Sequence, residues 1–398
     1  MKFLILIIAF SAGFVALVVP ILGSINEVYP DISDSLAIMV NTIPYLTSVP
    51  TSFLWPVFSR KWGNKKVIIA ALALIAFGAV PAFASNFYLL LATRAVFGLG
   101  WGLLLTIPMS LVGEYLPAEA QAGFYGFASA VISLAGSAFT LLGGALSGNL
   151  RNIWLAHLLV LLFIAIIVFL FPTDEKKAPE VAVDSGSVKR SKGKLPVTFF
   201  VMLAVNLIIS GVAVCGINIM SFFVVEKGVG GAGLAATLVS ANTFAAFFGG
   251  LATGSCVKVF KKYAMTATCL ITGLGYAIFT MGSSVALLYV GCVVFGLASG
   301  VVNAMMYAHN SWVVPAESND VAAGITTGSL TAAAFFLTYV PMWICRMLGI
   351  GDSYSTQFVV IGAAYVVAGI IFVVLFNLPG IKEKVNAAFV GEAEVQTE

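Results

Sequence analysis

The chain has 398 residues, 60% of them hydrophobic and only 9% charged, with a mean hydropathy of +1.05 and a formal net charge of +3. A soluble domain carries about a quarter of its residues as charges, so this composition excludes a water-facing globular protein. The small positive charge gives no sign of a nucleic-acid partner.

Apolar runs of roughly 20 residues, the length that crosses a bilayer, recur along almost the whole chain. They fall at 3–23, 36–59, 67–84, 87–112, 122–147 and 153–171, and after a break at 197–225, 231–257, 264–282, 286–312, 319–345 and 357–378. The expected fold is an all-α membrane protein with twelve transmembrane helices and no extramembrane domain of useful size. The opening MKFLILIIAFSAGF has the look of a secretory signal, with Lys2 ahead of an apolar core. No small-x-small cleavage site follows it, and Gly13 has a counterpart 198 residues later at Gly211, so it is read as the first transmembrane helix.

In the second span Asn41, Tyr45 and Ser48 share a face, while Pro44 and Pro50 remove backbone donors and loosen the helix. In the fourth, Arg94 is the only charged residue placed deep in a span, about seven residues or roughly 10 Å from its start. An ionised side chain there costs about 2.5–3.5 kcal/mol even on translocon scales, and no Asp or Glu lies at matching depth. Arg94 therefore either bonds helix carbonyls or a neutral residue such as Asn41, or meets an anion or a proton-linked group. Arg94, Gly98 and Trp101 stand at i, i+4 and i+7 on one face. Gly98 leaves room for a ligand between a cation and an indole, or else Gly98 and Gly100 let two helices approach closely. Trp101 lies deeper than the usual aromatic belt.

The later spans add neutral amides and phenols: Asn206 and Asn218, then Asn242, then Asn303, Tyr307 and Asn310. A lone Asn in such a helix usually serves an interhelical hydrogen bond. The candidate substrate-binding set is Arg94, Trp101, Asn41, Tyr45, Asn218, Asn242, Asn303 and Tyr307. His157 and His309 are not expected to bind substrate. Cys215, Cys256, Cys269, Cys292 and Cys345 have no metal-ligand spacing and read as small buried hydrophobes. No metal, cofactor or catalytic residue is expected.

Two stretches reveal a duplication. LPAEAQAGFYG at 116–126 and VPAESNDVAAG at 314–324 share a Pro-Ala-Glu triplet and a following glycine, all 198 residues apart. In the same register, SNFYLLLATRAVFGLGWG at 85–102 matches SSVALLYVGCVVFGLASG at 283–300 with eight identities in eighteen. The organisation expected is a six-helix bundle over 1–171, a charged linker over 172–196, a second six-helix bundle over 197–378 and a tail over 379–398. With the N-terminus inside, sixteen Lys and Arg fall on the inner side and only Arg151, Lys227 and Arg346 outside. That asymmetry places both termini in the cytoplasm, in a plasma (inner) membrane.

The parallel six-plus-six repeat with a long middle loop resembles the major facilitator superfamily, of the prokaryotic twelve-helix type. The family's loop between helices 2 and 3 reads roughly G-x-L-a-D-R-x-G-R-K. Here PVFSRKWGNKK at 56–66 keeps Lys61, Gly63, Lys65 and Lys66 but has Pro56 for Gly and Arg60 for Asp. GSCVKVFKK at 254–262 keeps Gly254 and the basic residues, and the helix-4 pattern R-x-x-x-G-x-G stands as Arg94, Gly98 and Gly100. The resemblance implies that helices 1, 4, 7 and 10 surround a central cavity, with 2, 5, 8 and 11 beside them.

Pro117 and Pro315 suit the first turns of helices 5 and 11, and Glu119 and Glu317 the positive ends of their dipoles. A second role is open to the acidic residues. Glu114 and Glu119, and Glu317 with Asp320, lie near the basic loops of Arg60, Lys61 and Lys258, and form a candidate cytoplasmic gate. Exposed pairs add only about 0–1 kcal/mol each.

There is no G-x-x-x-x-G-K-[ST] for ATP, no H-E-x-x-H and no G-x-S-x-G. Helix 1 has no deep acid, and FTLLGG at 139–144 keeps Gly143 and Gly144 of the family's antiporter pattern but has Phe139-Thr140 for Gly-Pro. These features weaken drug export. The function expected is secondary transport by alternating access of a small solute, one Arg among amides suiting a small organic anion. The alternatives are a drug or metabolite exporter working as a proton-coupled antiporter, and a transporter-fold sensor that binds without net transport. The partners expected are the solute, a coupling ion such as H+, and the bilayer, with the chain a monomer.

Overall fold

The computed structural model describes residues 1–83, 86–116, 118–172, 195–282, 284–314, 319–379 and 381–383. No strand occurs among them. Twelve helical rods do: α1 (Lys2–Val28), α2 (Asp34–Trp62), α3 (Asn64–Ala76, continuing as a 3-10 segment to Phe83), α4 (Phe87–Tyr115), α5 (Ala118–Leu146) and α6 (Leu150–Leu170). They are followed by α7 (Val197–Glu226), α8 (Ala232–Phe260), α9 (Ala264–Met281), α10 (Val285–Val313), α11 (Asn319–Phe336 extended through Val340–Leu348) and α12 (Tyr354–Asn377).

Among the described residues, ten stretches are long and apolar enough to cross a membrane. One of them, Ala232–Met281, is 50 residues long and contains both α8 and α9. The one rod absent from the ten is α2, whose hydropathy is lowered by Asn41, Thr42, Tyr45, Thr47, Ser48, Thr51 and Ser52. Splitting the long stretch and adding α2 restores twelve. The rod that falls short on hydropathy is thus the one that carries Asn41, Tyr45 and Ser48.

The sequence repeat is also a repeat of helix ends. α2 and α8 are each 29 residues long, with starts (34 and 232) and ends (62 and 260) both 198 apart. α4 and α10 are likewise 29 residues each, at 87 and 285 and at 115 and 313. The stop and start signals recur in register. Asn86 Oδ1 caps α4 by accepting from the Tyr88 N–H at 2.8 Å, and Ser284 Oγ accepts from the Leu287 N–H at 3.4 Å at the head of α10. Between α2 and α3 Gly63 has φ 81°, and its equivalent Lys261 is the one described non-glycine residue with positive φ, at 51°.

Close helix contacts repeat as well. A side chain at Gly102 of α4 would fall on the Ser48 backbone oxygen of α2; one at Gly300 of α10 would fall on that of Ala246 in α8. A Cβ added at Gly13 would lie 2.6 Å from Ala135, and one added at Gly211 would lie 3.1 Å from the Ala333 oxygen and strike Leu337. Small residues let helix backbones approach where lipid offers no hydrophobic drive for association.

The described residues fall in two compact units. One holds residues up to 177 together with Gly216–Phe244; the other holds the remainder. The first unit therefore includes the end of α7 from Gly216 and the start of α8 up to Phe244.

Candidate substrate site

α4 begins at Phe87, so Arg94 lies seven residues inside it and is fully buried. Its Nε donates to the Val40 backbone oxygen of α2 at 2.8 Å. Its Nη1 lies 3.4 Å from Nε2 of His157, at the long end of a hydrogen bond. The guanidinium carbon stands 4.2 Å from the Phe97 ring centroid, one turn along α4. Nη2 has no partner among the described residues. The one ion pair among the described residues is Arg346–Asp352, at 2.9 Å, so no described carboxylate neutralises Arg94.

His157 is held as firmly. Its Nδ1 is 3.2 Å from the backbone oxygens of both Ile153 and Trp154. Two acceptors at that nitrogen put the proton there, which leaves Nε2 with its lone pair toward Arg94. The imidazole stacks on Trp154 (6.1 Å, 21°) and Phe14 (6.2 Å, 29°) and meets Phe97 edge-on (5.6 Å, 84°). On α3, Gly78 lies so close that any side chain there would strike the ring. Helices α1, α2, α3, α4 and α6 thus all touch one polar pair.

A second group lies in the same unit. Asn41 Nδ2 donates to Asn218 Oδ1 at 2.7 Å, both residues at most 2% exposed, while Asn41 Oδ1 has no partner. Tyr45 packs edge-on to Trp101 with centroids 4.9 Å apart, and Trp101 Nε1 donates to the Ala12 backbone oxygen at 2.8 Å. Two further bonds join α7 and α8 to the rest of this unit: Gly23 N–H to Ser221 Oγ at 2.9 Å, and Ser240 Oγ to the Ser137 backbone oxygen at 3.1 Å.

The structure therefore brings Asn41 to Asn218 and Tyr45 to Trp101, and ties Arg94 to the backbone of Val40, next to Asn41 in α2. Arg94 takes a helix carbonyl rather than the Asn41 side chain. Gly98 faces α2, where a Cβ would meet Pro44 at 2.6 Å and also Thr47, so it serves close packing rather than ligand space. Asn242 lies buried in α8, and Asn303 is exposed on α10. The Tyr307 side chain is outside the described residues.

Of the candidate gate, Arg60, Lys61 and Lys258 are exposed. Glu317, with Pro117 and Pro315, lies outside the described residues, as do the side chains of Glu114, Glu119 and Asp320. No group of His, Cys, Asp and Glu able to hold a metal occurs among the described residues. The roles of two residues were not foreseen from the sequence. His157 had a usable signal: α6 starts at Leu150, so His157 lies seven residues in, the same depth as Arg94 in α4. The other is Lys65, whose Nζ donates to the Phe171 backbone oxygen at 2.8 Å and caps the end of α6.

A family model described as Major Facilitator Superfamily matches residues 3–338, and the chain belongs to that family. The protein is a multi-pass membrane transporter, not an enzyme. No curated protein matches it in sequence. Among solved structures, the chain is similar to the nucleoside transporter NupG (D323A mutant), with TM-score 0.76 and 13% identity over 94% of this chain and all of that one. It is also similar to the xylose transporter XylE from E. coli in its inward open conformation, with TM-score 0.72 and 14% identity over 97% and 98% of the two chains. A bacterial homolog to the human lysosomal transporter Spinster, inward-facing and occupied, has TM-score 0.68 and 14% identity over 98% and 95%. These likenesses establish a shared fold.

Proposed function

We propose that the protein is a secondary transporter that moves a small organic anion by alternating access, with Arg94 as the anion's partner. The observation that carries this reading is the unpartnered Nη2 of a fully buried guanidinium with no described carboxylate beside it. A buried cation of that kind is costly unless something supplies the opposite charge. Asn41, with its own unpartnered oxygen, Asn218, Tyr45 and Trp101 supply polar and aromatic contacts in the same unit. The reading takes 1–171 and 197–378 as the two moving halves, joined by the charged stretch 172–196. It puts both termini in the cytoplasm, since Lys and Arg concentrate on one side, and takes H+ as the coupling ion.

A second reading, a neutral polar solute, is favoured by a different observation. Arg94 already spends Nε and Nη1 on Val40 and His157, and two of the similar structures are a xylose transporter and a nucleoside transporter.

Thermal shift of the purified protein with acetate, lactate, succinate and benzoate, set against xylose, ribose and uridine, separates the two. The anion reading expects a carboxylate to raise the melting temperature of the wild type but not of Arg94→Ala, and the same compound to show counterflow in proteoliposomes. Neutral solutes that stabilise both proteins equally would end it. Binding without counterflow would mark a sensor instead.

A further inference from the structure

We propose that His157 is a positioning residue for solute recognition: it holds Arg94 so that a single edge of the guanidinium is left for the ligand. This rests on the reading of Arg94 as the anion's partner. Arg94 has five N–H groups in a fixed planar fork. The Nε–H is taken by the Val40 oxygen at 2.8 Å, one Nη1–H points at His157 Nε2 at 3.4 Å, and one face of the plane is covered by Phe97 at 4.2 Å. What remains is the second Nη1–H and both N–H groups of Nη2, the latter without a partner among the described residues.

His157 can accept that Nη1–H only as the neutral Nδ1–H tautomer, and the oxygens of Ile153 and Trp154, both at 3.2 Å, enforce that tautomer. A histidine protonated at Nε2, or at both nitrogens, would present a donor to a donor and push the guanidinium away. The ring itself cannot swing, because Phe14, Trp154 and Phe97 pack around it and Gly78 abuts it. The titratable and charged groups that face it are Arg94 alone among the described contacts. A chain of restraint therefore runs from the α6 backbone through the imidazole to the guanidinium plane.

The sequence contains two histidines, His157 and His309, so ¹⁵N-histidine labelling resolves the tautomer directly. The expected spectrum has the His157 proton on Nδ1 across pH 5 to 8, with an Nε2 resonance that moves in Arg94→Lys. A proton on Nε2 overturns the proposal.

The functional arm titrates the wild type, Arg94→Ala, His157→Phe and His157→Gln with acetate, lactate, succinate and benzoate. His157→Phe keeps the aromatic packing and loses the acceptor; His157→Gln restores an acceptor. For a carboxylate that binds the wild type, the apparent Kd should rise about tenfold in His157→Phe and stay within about threefold in His157→Gln, with the maximal counterflow rate kept. Binding that is lost in Arg94→Ala yet normal in His157→Phe overturns the role of His157 alone. No carboxylate binding by the wild type overturns the Arg94 reading, and this role with it.

Discussion

Arg94 and Cys292 occupy equivalent places, 198 residues apart on α4 and α10, and their surroundings have gone opposite ways. Around Arg94 the pocket holds His157, Gly78 and Phe97. The residues 198 further on from Gly78 and Phe97 are Tyr276 and Phe295, and α12 carries no histidine. Tyr276 lies flat on Phe295 with centroids 4.2 Å apart and planes at 7°, and Phe358 and Tyr365 extend the stack at 5.9 and 5.8 Å. Gly78 makes room for an imidazole; the residue in its place fills the room with its own ring. The scaffold is duplicated, down to the glycines at 102 and 300, while the chemistry is confined to one copy. Selection on packing acts on both copies alike, since each must cross the same bilayer. A buried cation is useful once.

The sharpest way to break this comparison is to move the charge. Cys292→Arg puts a guanidinium beside stacked rings, and the expected cost is about 3–5 kcal/mol, read as loss of monodisperse protein or a large fall in melting temperature. The double change Cys292→Arg, Tyr276→Gly opens beside the guanidinium the space that Gly78 leaves in the first pocket, and should recover part of that loss. Tolerance of Cys292→Arg alone would show that the two pockets are not so different.

A smaller effect tests what the copies share. Gly102→Val and Gly300→Val each drive a side chain onto a facing backbone oxygen, and each should cost about 1–3 kcal/mol. Thermal unfolding in one detergent measures both; a large loss at one and none at the other would break the structural equivalence. The smallest effect is a gain. Lys261 holds a φ of 51° where its counterpart is Gly63, and left-handed backbone strains a residue with a Cβ. Lys261→Gly should raise stability by about 1 kcal/mol, visible as a higher thermal midpoint, whereas Gly63→Lys should lower it.

Much of the fold was legible in the residues. Hydrophobic length set the rods, and α2, whose amides and hydroxyls lower its hydropathy, was still legible as an apolar run over 36–59. The shared register of Asn86 with Ser284 and of Gly63 with Lys261 shows why duplication could be read without coordinates: caps and turns are local, so their signals survive in one dimension. Arg94 could be singled out the same way, since a charge in an apolar run needs no tertiary knowledge to look costly. Its partners could not. The Asn41–Asn218 bond joins residues 177 apart, and Trp101 reaches an oxygen 89 residues away; no periodicity encodes such pairs.

Composition and hydrophobic spacing alone determined that this chain lives in a bilayer as two copies of one helical plan, because burying apolar length and closing backbone hydrogen bonds within each helix are demands met segment by segment. Which polar groups face one another was decided only by tertiary structure. His157 became the acceptor for Arg94 because α4 and α6 carry both to the same depth and Gly78 leaves the ring its space, and those are properties of three helices brought side by side rather than of any one of them.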